Sequence, residues 1–581
     1  MGAGQMGTGN TVEARDAAKG AETPLSPRRE WIVLIVVFVA GCALLALRRP
    51  DSILNPQFYV EDGTTFYAEA HELGPLRALL TTHRGYFCLA QRLGAALAVA
   101  VPFAWAPLVC NLVGILLQSL PAVFLASSRL LPERPLWVRI GMAMLYLGMP
   151  ATWGTNANLT HSMWHLASLG CLVVVARPAR TAWWRVFDGA ALVLAGLSGP
   201  YSIFLAVVAA LKWHATRNRR DLVVAAAVTL MGAVQATSLL LAPAPPDGRI
   251  PIGPSLSSFT RIIAQRIVYG ALFGQRGTEL IMSDPANPLD WKAGVAVAAV
   301  LGVAALLYAA WRGPLELKLY ILFGALTFAS ALAMPAPSAP AVWWDLLRHP
   351  GNGNRYFVIA VAALLATLVW FSLQRRVALR VAGVAGLGVA LLFGVRYDRR
   401  EPPYPDFDFE ESVWRYENAA DRESLVFLEP PTDWEYTITK RGARDPDAVR
   451  ECPREVRVDA TPLAMHDVGL LDGTMTATGA DPYVIYRVPD RGHVCGLRLV
   501  YELRTPLGQN AVLQLSWARD GVSALAAGER NSTARVPATG SLQATTFRVD
   551  DRIDVIRIDP HTTGTRFKLI DVVLLLGPEE T

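Results

Sequence analysis

Trp31–Leu47 is an unbroken apolar run bracketed by Arg28–Arg29 and Arg48–Arg49. Further runs follow at about 105–127, 136–151, 162–176, 186–198, 200–213, 221–242, 291–311, 318–334, 356–374 and 379–396. This repetition constrains the chain more than any other feature, because a helix that crosses a bilayer needs about 20 predominantly apolar residues. A signal peptide shows a small-residue cleavage site after its apolar stretch. Arg48-Arg49-Pro50 is not such a site, so the first run reads as an uncleaved span. The two runs either side of Ser198-Gly199-Pro200 are short, about 13 residues each against the usual 20. They are two half-length helices or one kinked one.

Arginine placement separates the two. With two helices, alternate connections collect Arg129, Arg134 and Arg139, then Arg177, Arg180 and Arg185, then Lys212, Arg217, Arg219 and Arg220, then Arg312 and Lys318, then Arg375, Arg376 and Arg380. The opposing short connections are nearly empty of Lys and Arg, which is the positive-inside pattern. A single kinked helix would export the Arg217–Arg220 cluster. The expectation is about eleven spans with the amino end cytoplasmic and the carboxyl end outside. Residues 1–29 then form a disordered cytoplasmic tail and 30–400 a multi-span membrane domain with outer loops at about 48–104, 243–290 and 335–355.

Composition agrees. The chain is 18% charged, against about 25% for soluble proteins. Residues 401–581 hold 20 Lys+Arg and 30 Asp+Glu, and residues 1–400 hold 34 and 19. The basic excess therefore sits in the apolar block, where it reads as cytoplasmic loops and not as a nucleic-acid surface. The acidic stretch, 405–581, has short alternating runs such as Tyr483–Val488, Gly496–Leu503, Val512–Trp517 and Asp554–Ile558. Such spacing predicts an antiparallel β-sandwich on the outer side. Trp414, Trp434, Tyr483 and Trp517 are core residues or sugar-stacking ones. Cys452 and Cys495 lie in this stretch, as a disulfide or as two buried thiols.

The first outer loop carries Glu61-Asp62, two adjacent carboxylates among aromatics just past the first span. An ionisable group near the apolar boundary is costly unless paired or functional, and burial raises a carboxyl toward the range of a general base. The plain alternative is an Asp-Gly turn on a solvated loop. Downstream, His83, Arg84 and Tyr86 precede Gln91-Arg92 in a run, about 86–103, suited to lying flat on the membrane. Arg matches phosphate oxygens bidentately; headgroup contact is the alternative. Asn156, Asn158, His161, Trp164 and His165 form a second cluster suited to a sugar, or an interfacial belt. A Gly/Asn-rich loop, His349–Asn354, delivers Arg355 and Tyr356 to the start of a late span. There an anion meets a guanidinium and a helix dipole.

Together, Glu61-Asp62-Gly63, His83-Arg84-Gly85-Tyr86, Leu197-Ser198-Gly199-Pro200-Tyr201 and Asn354-Arg355-Tyr356-Phe357 resemble the family-C (GT-C fold) membrane glycosyltransferases, including a bacterial O-antigen-type subgroup. Asp481-Pro482-Tyr483 and Arg557-Ile558-Asp559-Pro560 look like β-sandwiches appended to glycan-synthesis proteins. The resemblance implies a polyprenyl-phosphate sugar as donor and a glycan or lipid-linked acceptor, on the outer face of a bacterial inner membrane. It implies Asp62 or Glu61 as base and Arg355, Arg84 and His83 on the donor phosphate. Tyr86, Asn158, His161, Trp164, His165 and Tyr356 would contact substrate. No cofactor is expected, and two adjacent acids are too few for a convincing divalent-metal site. The rival readings are a transporter or flippase and a non-catalytic glycan-assembly protein.

Overall fold

The computed structural model describes residues 26–243, 251–334, 342–432, 434–441, 452–471, 473–489, 491–506, 510–519, 530–560 and 564–577. Most of the expected 1–29 tail and part of the 335–355 loop lie outside these residues. The chain divides into two compact units. One comprises Met1–Pro56, Leu76–Ala95 and Leu108–Pro403; the other comprises Gln57–Pro75, Ala96–Pro107 and Tyr404–Thr581. The break near 403 falls where charge and hydropathy change. Two pieces of the expected first outer loop, however, cluster with the second unit and carry the acidic pair with them.

The first unit is helical. Among the described residues, seven helices are long and apolar enough to cross a membrane: Arg28–Arg48, Phe103–Ala126, Arg219–Leu241, Lys292–Arg312, Leu315–Ala333, Asn354–Ser372 and Val377–Val395. The other four expected runs form shorter helices, Leu136–Leu147, Ser162–Val175, Ala182–Leu197 and Tyr201–Thr216. The last two are separate helices, interrupted at Ser198-Gly199-Pro200, where Gly199 has φ 109°. The first helix begins at Pro27, earlier than the tail reading placed it, because proline suits the first helical position. The described part of the expected 243–290 loop is mostly helical, as Leu256–Arg261, Ile262–Val268 and Tyr269–Ser283. Every residue of Ile262–Val268 is buried.

Two polar layers cap these helices. In one, Arg129 grips the Asp188 carboxylate through both terminal nitrogens at 3.1 and 2.9 Å, and Arg220 adds a third bond at 2.6 Å. Arg139 donates to the carbonyl of Ala126, and Lys212 to those of Val175 and Ala176. These are helix C-terminal carbonyls with no intrahelical partner, which cations satisfy well. In the other layer, Arg48 and Arg49 meet Asp398 and Glu401, which follow the last apolar helix. The arginine alternation assigned these two groups of residues to opposite faces, and the contacts sort them the same way.

The second unit is rich in strands. Thr539–Arg552, His493–Arg504, Arg566–Leu576, Thr474–Ala477 and Val468–Leu471 pair in that order, and Arg454–Val458 also pairs with Arg566–Leu576. A second antiparallel sheet runs Asn531–Val536, Ala511–Ala518, Val555–Pro560, Tyr483–Arg487 and Thr461–His466. Period-2 burial gives each sheet an apolar face. Leu497, Leu499, Tyr501 and Leu503 of one share a single core with Leu513, Leu515, Ile556 and Ile558 of the other. Trp414 and Trp517 are core residues. Cys452 and Cys495 are disulfide-bonded, with Cα atoms 6.2 Å apart.

Candidate functional site

In the second unit the acidic pair opens a short wide helix, Asp62–Tyr67. The turn into it places Val60 at φ 52°. That strained turn is fixed by the end of strand Ser424–Glu429. Pro430 accepts the Val60 N–H at 3.0 Å. The Glu429 carboxylate accepts the N–H groups of Gly63 and Thr64 at 3.0 and 2.8 Å. Only glycine fits at 63, because a Cβ there would run into the Glu429 carboxylate. An aromatic cluster supports the segment: Phe58 packs 5.5 Å from Tyr436 and 5.9 Å from Phe409, and Phe103 lies 4.7 Å from Tyr416. Asp62 has no exposed surface, while Glu61 is half-buried. Burial raises the Glu429 carboxyl well above the usual range. The Thr64 and Gly63 N–H groups oppose that rise, and the charges of Asp62 and Glu61 add to it.

In the first unit, the residues expected on a donor phosphate fall into two places. His83, Arg84 and Tyr86 form a two-residue-strand hairpin, Thr82–His83 with Tyr86–Phe87. Arg84 sits in its turn at φ 50°, exposed. The hairpin is held by Gln235, whose carbonyl accepts the Phe87 N–H at 2.8 Å and whose amide donates to Phe87 and Gly199 carbonyls. The Ser198 hydroxyl accepts the Ala90 N–H at 2.9 Å. The Ser198-Gly199-Pro200 break therefore both ends a helix and receives the hairpin. The expected flat run over 86–103 is instead this strand followed by helix Leu89–Ala98, and its last residues belong to the second unit.

Arg355 lies at the start of helical segment Asn354–Ser372. Its guanidinium sits 4.9 Å from the Tyr356 ring centroid. The Tyr356 ring meets Trp164 at 5.4 Å and Trp343 at 5.7 Å, and Trp164 meets Tyr201 at 4.9 Å. The Tyr201 hydroxyl is within electrostatic reach of Tyr86, Tyr356 and Arg355. Arg355, Tyr356, Trp164 and Tyr86 thus share one aromatic neighbourhood.

The loop that precedes Arg355 is held by a hub that sequence reasoning did not identify. Glu401 accepts from Arg49 at 2.8 Å, from the Gly154 N–H at 2.8 Å and from Asn156 at 2.6 Å. Arg48 donates to Leu147, Met149 and Thr152. Asp398 accepts the N–H groups of Ala151, Gln275 and Arg276. Asn354 then ties its amide to the Trp153 carbonyl at 3.0 Å and takes a bond from buried Arg266 at 2.6 Å. Arg266 also donates to the His349 and Asn352 carbonyls. The signal for this hub was a pair of arginines ending the first apolar run and two acids following the last, both assigned outside.

Three of the expected substrate contacts are buried and bonded within the unit. Asn158 is fully buried and spends its amide on the Gly154 and Asn156 carbonyls and the His161 N–H. His161 bonds the Gly154 carbonyl at 2.7 Å. His165 is buried against the Tyr146 hydroxyl at 3.0 Å. A loop carried inside a helical unit has to satisfy its own backbone, and Asn158 and His161 do so. Among the described residues no group of three or more His, Cys, Asp or Glu could hold a metal ion.

No family model matches the sequence, and no curated protein matches it. Two solved cryo-EM structures of the arabinofuranosyltransferase AftD from mycobacteria align with it at 11% identity, with TM-scores of 0.31 and 0.26. The alignments cover 96% and 95% of this chain and 62% and 61% of those chains, so it spans less than two thirds of their length.

Proposed function

We propose that this chain is a polytopic membrane glycosyltransferase of the GT-C type, with an outer β-sandwich. It transfers a sugar from a polyprenyl-phosphate donor to a glycan or lipid-linked acceptor on the outer face of a bacterial inner membrane, with inversion. The observation that carries the reading is the aromatic neighbourhood of Arg355. A guanidinium beside an aromatic ring suits a phosphate, whose oxygens its planar fork matches. A helix start adds positive potential. Trp164, Tyr201 and Tyr356 offer apolar faces for a sugar or an isoprenoid chain.

In this reading Arg355 holds the donor phosphate and stabilises its charge as the glycosidic bond breaks, with Arg84 and His83 assisting. Asp62 or Glu61 takes the proton of the acceptor hydroxyl. Attack opposite the leaving phosphate inverts the anomeric carbon, as in inverting hydrolases. The Glu429 clamp supports this reading because a base must be held in place to contribute. Both carboxylates are candidates, since Glu61 keeps exposed surface and Asp62 keeps none.

The test uses full-length protein in lipid, radiolabelled polyprenyl-phosphate sugars and crude envelope glycan. Wild type, Asp62→Asn, Glu61→Gln and Arg355→Ala are run together. Loss of the base removes about 10²–10⁴ in turnover with donor binding kept. Arg355→Ala weakens donor binding itself. Equal transfer by all four folded proteins refutes these roles, and labelled-lipid flux without transfer moves the chain to the transporter class.

A further inference from the structure

The helical unit contains a cavity of about 530 Å³ that none of the proposed chemistry uses. Its position is informative. One end is lined by Glu133, Arg134, Arg177, Arg312, Glu316 and Gln374. These belong to the connections that join the Arg129–Asp188 layer: the Arg177 N–H donates to the Arg129 carbonyl at 3.2 Å. This end therefore opens at the layer opposite the Glu401 hub and Arg355. The walls are apolar, with Leu125, Met142, Leu145, Leu172, Leu365 and Val369 among them. The inner end closes on Tyr146, Tyr320 and Met149. Both tyrosine hydroxyls are used there, by His165 at 3.0 Å and Ser168 at 3.3 Å.

The length of the cavity can be read from one wall. Ala362, Leu365, Ala366, Val369, Trp370 and Leu373 all line it. They recur at three- and four-residue intervals, so one helix face runs along the cavity. At 1.5 Å per residue the face is roughly 16 Å long. A hydrocarbon core of about 30 Å gives each leaflet roughly 15 Å. The cavity is thus one leaflet deep, apolar along its length and charged at one end. Its volume also lies in the range of sites that enclose most of a ligand, about 300–1,000 Å³.

The mouth carries three guanidinium groups and two carboxylates. Arg177 is ion-paired with Glu133. Arg134 and Arg312, both exposed, face the single remaining carboxylate, Glu316. The balance is positive, so an anionic head group is favoured over a zwitterionic one.

We infer that this cavity is a binding site for an anionic phospholipid, one chain along the apolar wall and its phosphate head at Arg134 and Arg312. The site is separate from the donor site proposed above and does not rest on it. The lipid would fill a void that otherwise leaves Tyr146, Tyr320 and the helix faces around them without packing partners on one side.

The test is native mass spectrometry of the full-length protein in detergent. It is offered equimolar phosphatidylglycerol and phosphatidylcholine of matched chains. Wild type retains one phospholipid and prefers phosphatidylglycerol. Arg134→Gln with Arg312→Gln, at exposed positions that leave the fold intact, lowers that preference by about 30-fold if each arginine contributes as a basic residue at an anionic surface does. Ala366→Trp, which fills the cavity, removes the retained lipid while thermal unfolding stays cooperative. Retention of both lipids equally by wild type overturns the proposal. So does an unchanged preference in the double glutamine variant, or a lipid retained by folded Ala366→Trp.

Discussion

Glu401 and Glu429 are both buried glutamates that organise a loop, one in each unit, and they are held by opposite means. Glu401 sits among cations: Arg49 bonds it at 2.8 Å and Arg48 lies 3.9 Å away. Glu429 receives two backbone N–H groups, and its charged neighbours are carboxylates. The first arrangement neutralises charge and makes a staple between the ends of the first and last apolar helices. The second crowds carboxyl groups together, which raises the proton affinity of Glu429 beside Asp62 and Glu61. The first is a neutral link between two helix ends, and the second is a carboxyl held by backbone donors against its acidic neighbours.

The contrast can be broken at either glutamate. The largest effect is expected from Glu401→Ala, which takes from buried Arg49 its carboxylate partner at 2.8 Å and leaves Asp51 at 3.8 Å. Breaking a buried pair in this way costs about 3–5 kcal/mol, read as a lower melting temperature of the protein in detergent. Arg49→Met with Glu401→Leu removes both charges and recovers much of the loss.

A smaller effect is expected from the disulfide of the second unit, which closes a loop of 43 residues. Cys452→Ser with Cys495→Ser should destabilise that unit by about 2–4 kcal/mol. The helical unit, whose four described cysteines form no disulfide, should melt as before.

Next comes Glu429→Ala. It leaves the buried Gly63 N–H and the part-buried Thr64 N–H without their acceptor, at about 1–3 kcal/mol for such a group. Hydrogen exchange at Gly63 and Thr64 should accelerate while the sheet strands stay protected. Unchanged exchange would mean that the aromatic cluster alone holds the loop.

A further effect is a pH dependence of the second unit. Burial raises Glu411 to about 7, Asp408 and Glu410 adding to the rise and Arg415 and Arg548 opposing it. The folded state therefore holds this proton more tightly than the unfolded state does. The resulting stability is complete below the unfolded value of 4.5 and is lost as pH rises through about 7. Comparing Glu411→Gln with wild type between pH 5 and pH 8 isolates this group from His71, whose burial shifts it the other way. A parallel pair of stability curves would remove Glu411 from the account.

Much of the helical unit was legible because hydropathy is a local property. The apolar runs became helices, and the arginine alternation anticipated which polar groups share a layer. The break at Ser198-Gly199-Pro200 followed from the same charge argument. Strand runs such as Tyr483–Val488 and Val512–Trp517 were legible from period-2 alternation, and paired as strands. The motif echoes Asp481 and Arg557–Asp559 turn out to touch: Arg557 bonds Asp559 at 2.7 Å and Asp481 at 3.1 Å, over the Tyr483 ring.

The candidate site was legible only in part. Residue type and position beside a span picked out Arg355, Trp164, Tyr356 and Tyr86, which gather around Tyr201. The same criteria picked out Asn158, His161 and His165, which are buried and bonded inside the unit. Polarity near an apolar boundary marks a group that needs a partner, and the sequence does not say whether that partner is a substrate or the chain itself.

By itself, then, the sequence determined the apolar runs, which arginine groups share a polar layer, and the strand-forming stretches of the acidic end. Each of these depends on a residue and its near neighbours. Only the tertiary structure decided that two pieces of one loop join the strand-rich unit, and which partners the buried charges find. Arg49 and Glu401 are 352 positions apart, and Gly63 and Glu429 are 366. Contacts over such separations arise from packing, and no local pattern encodes them.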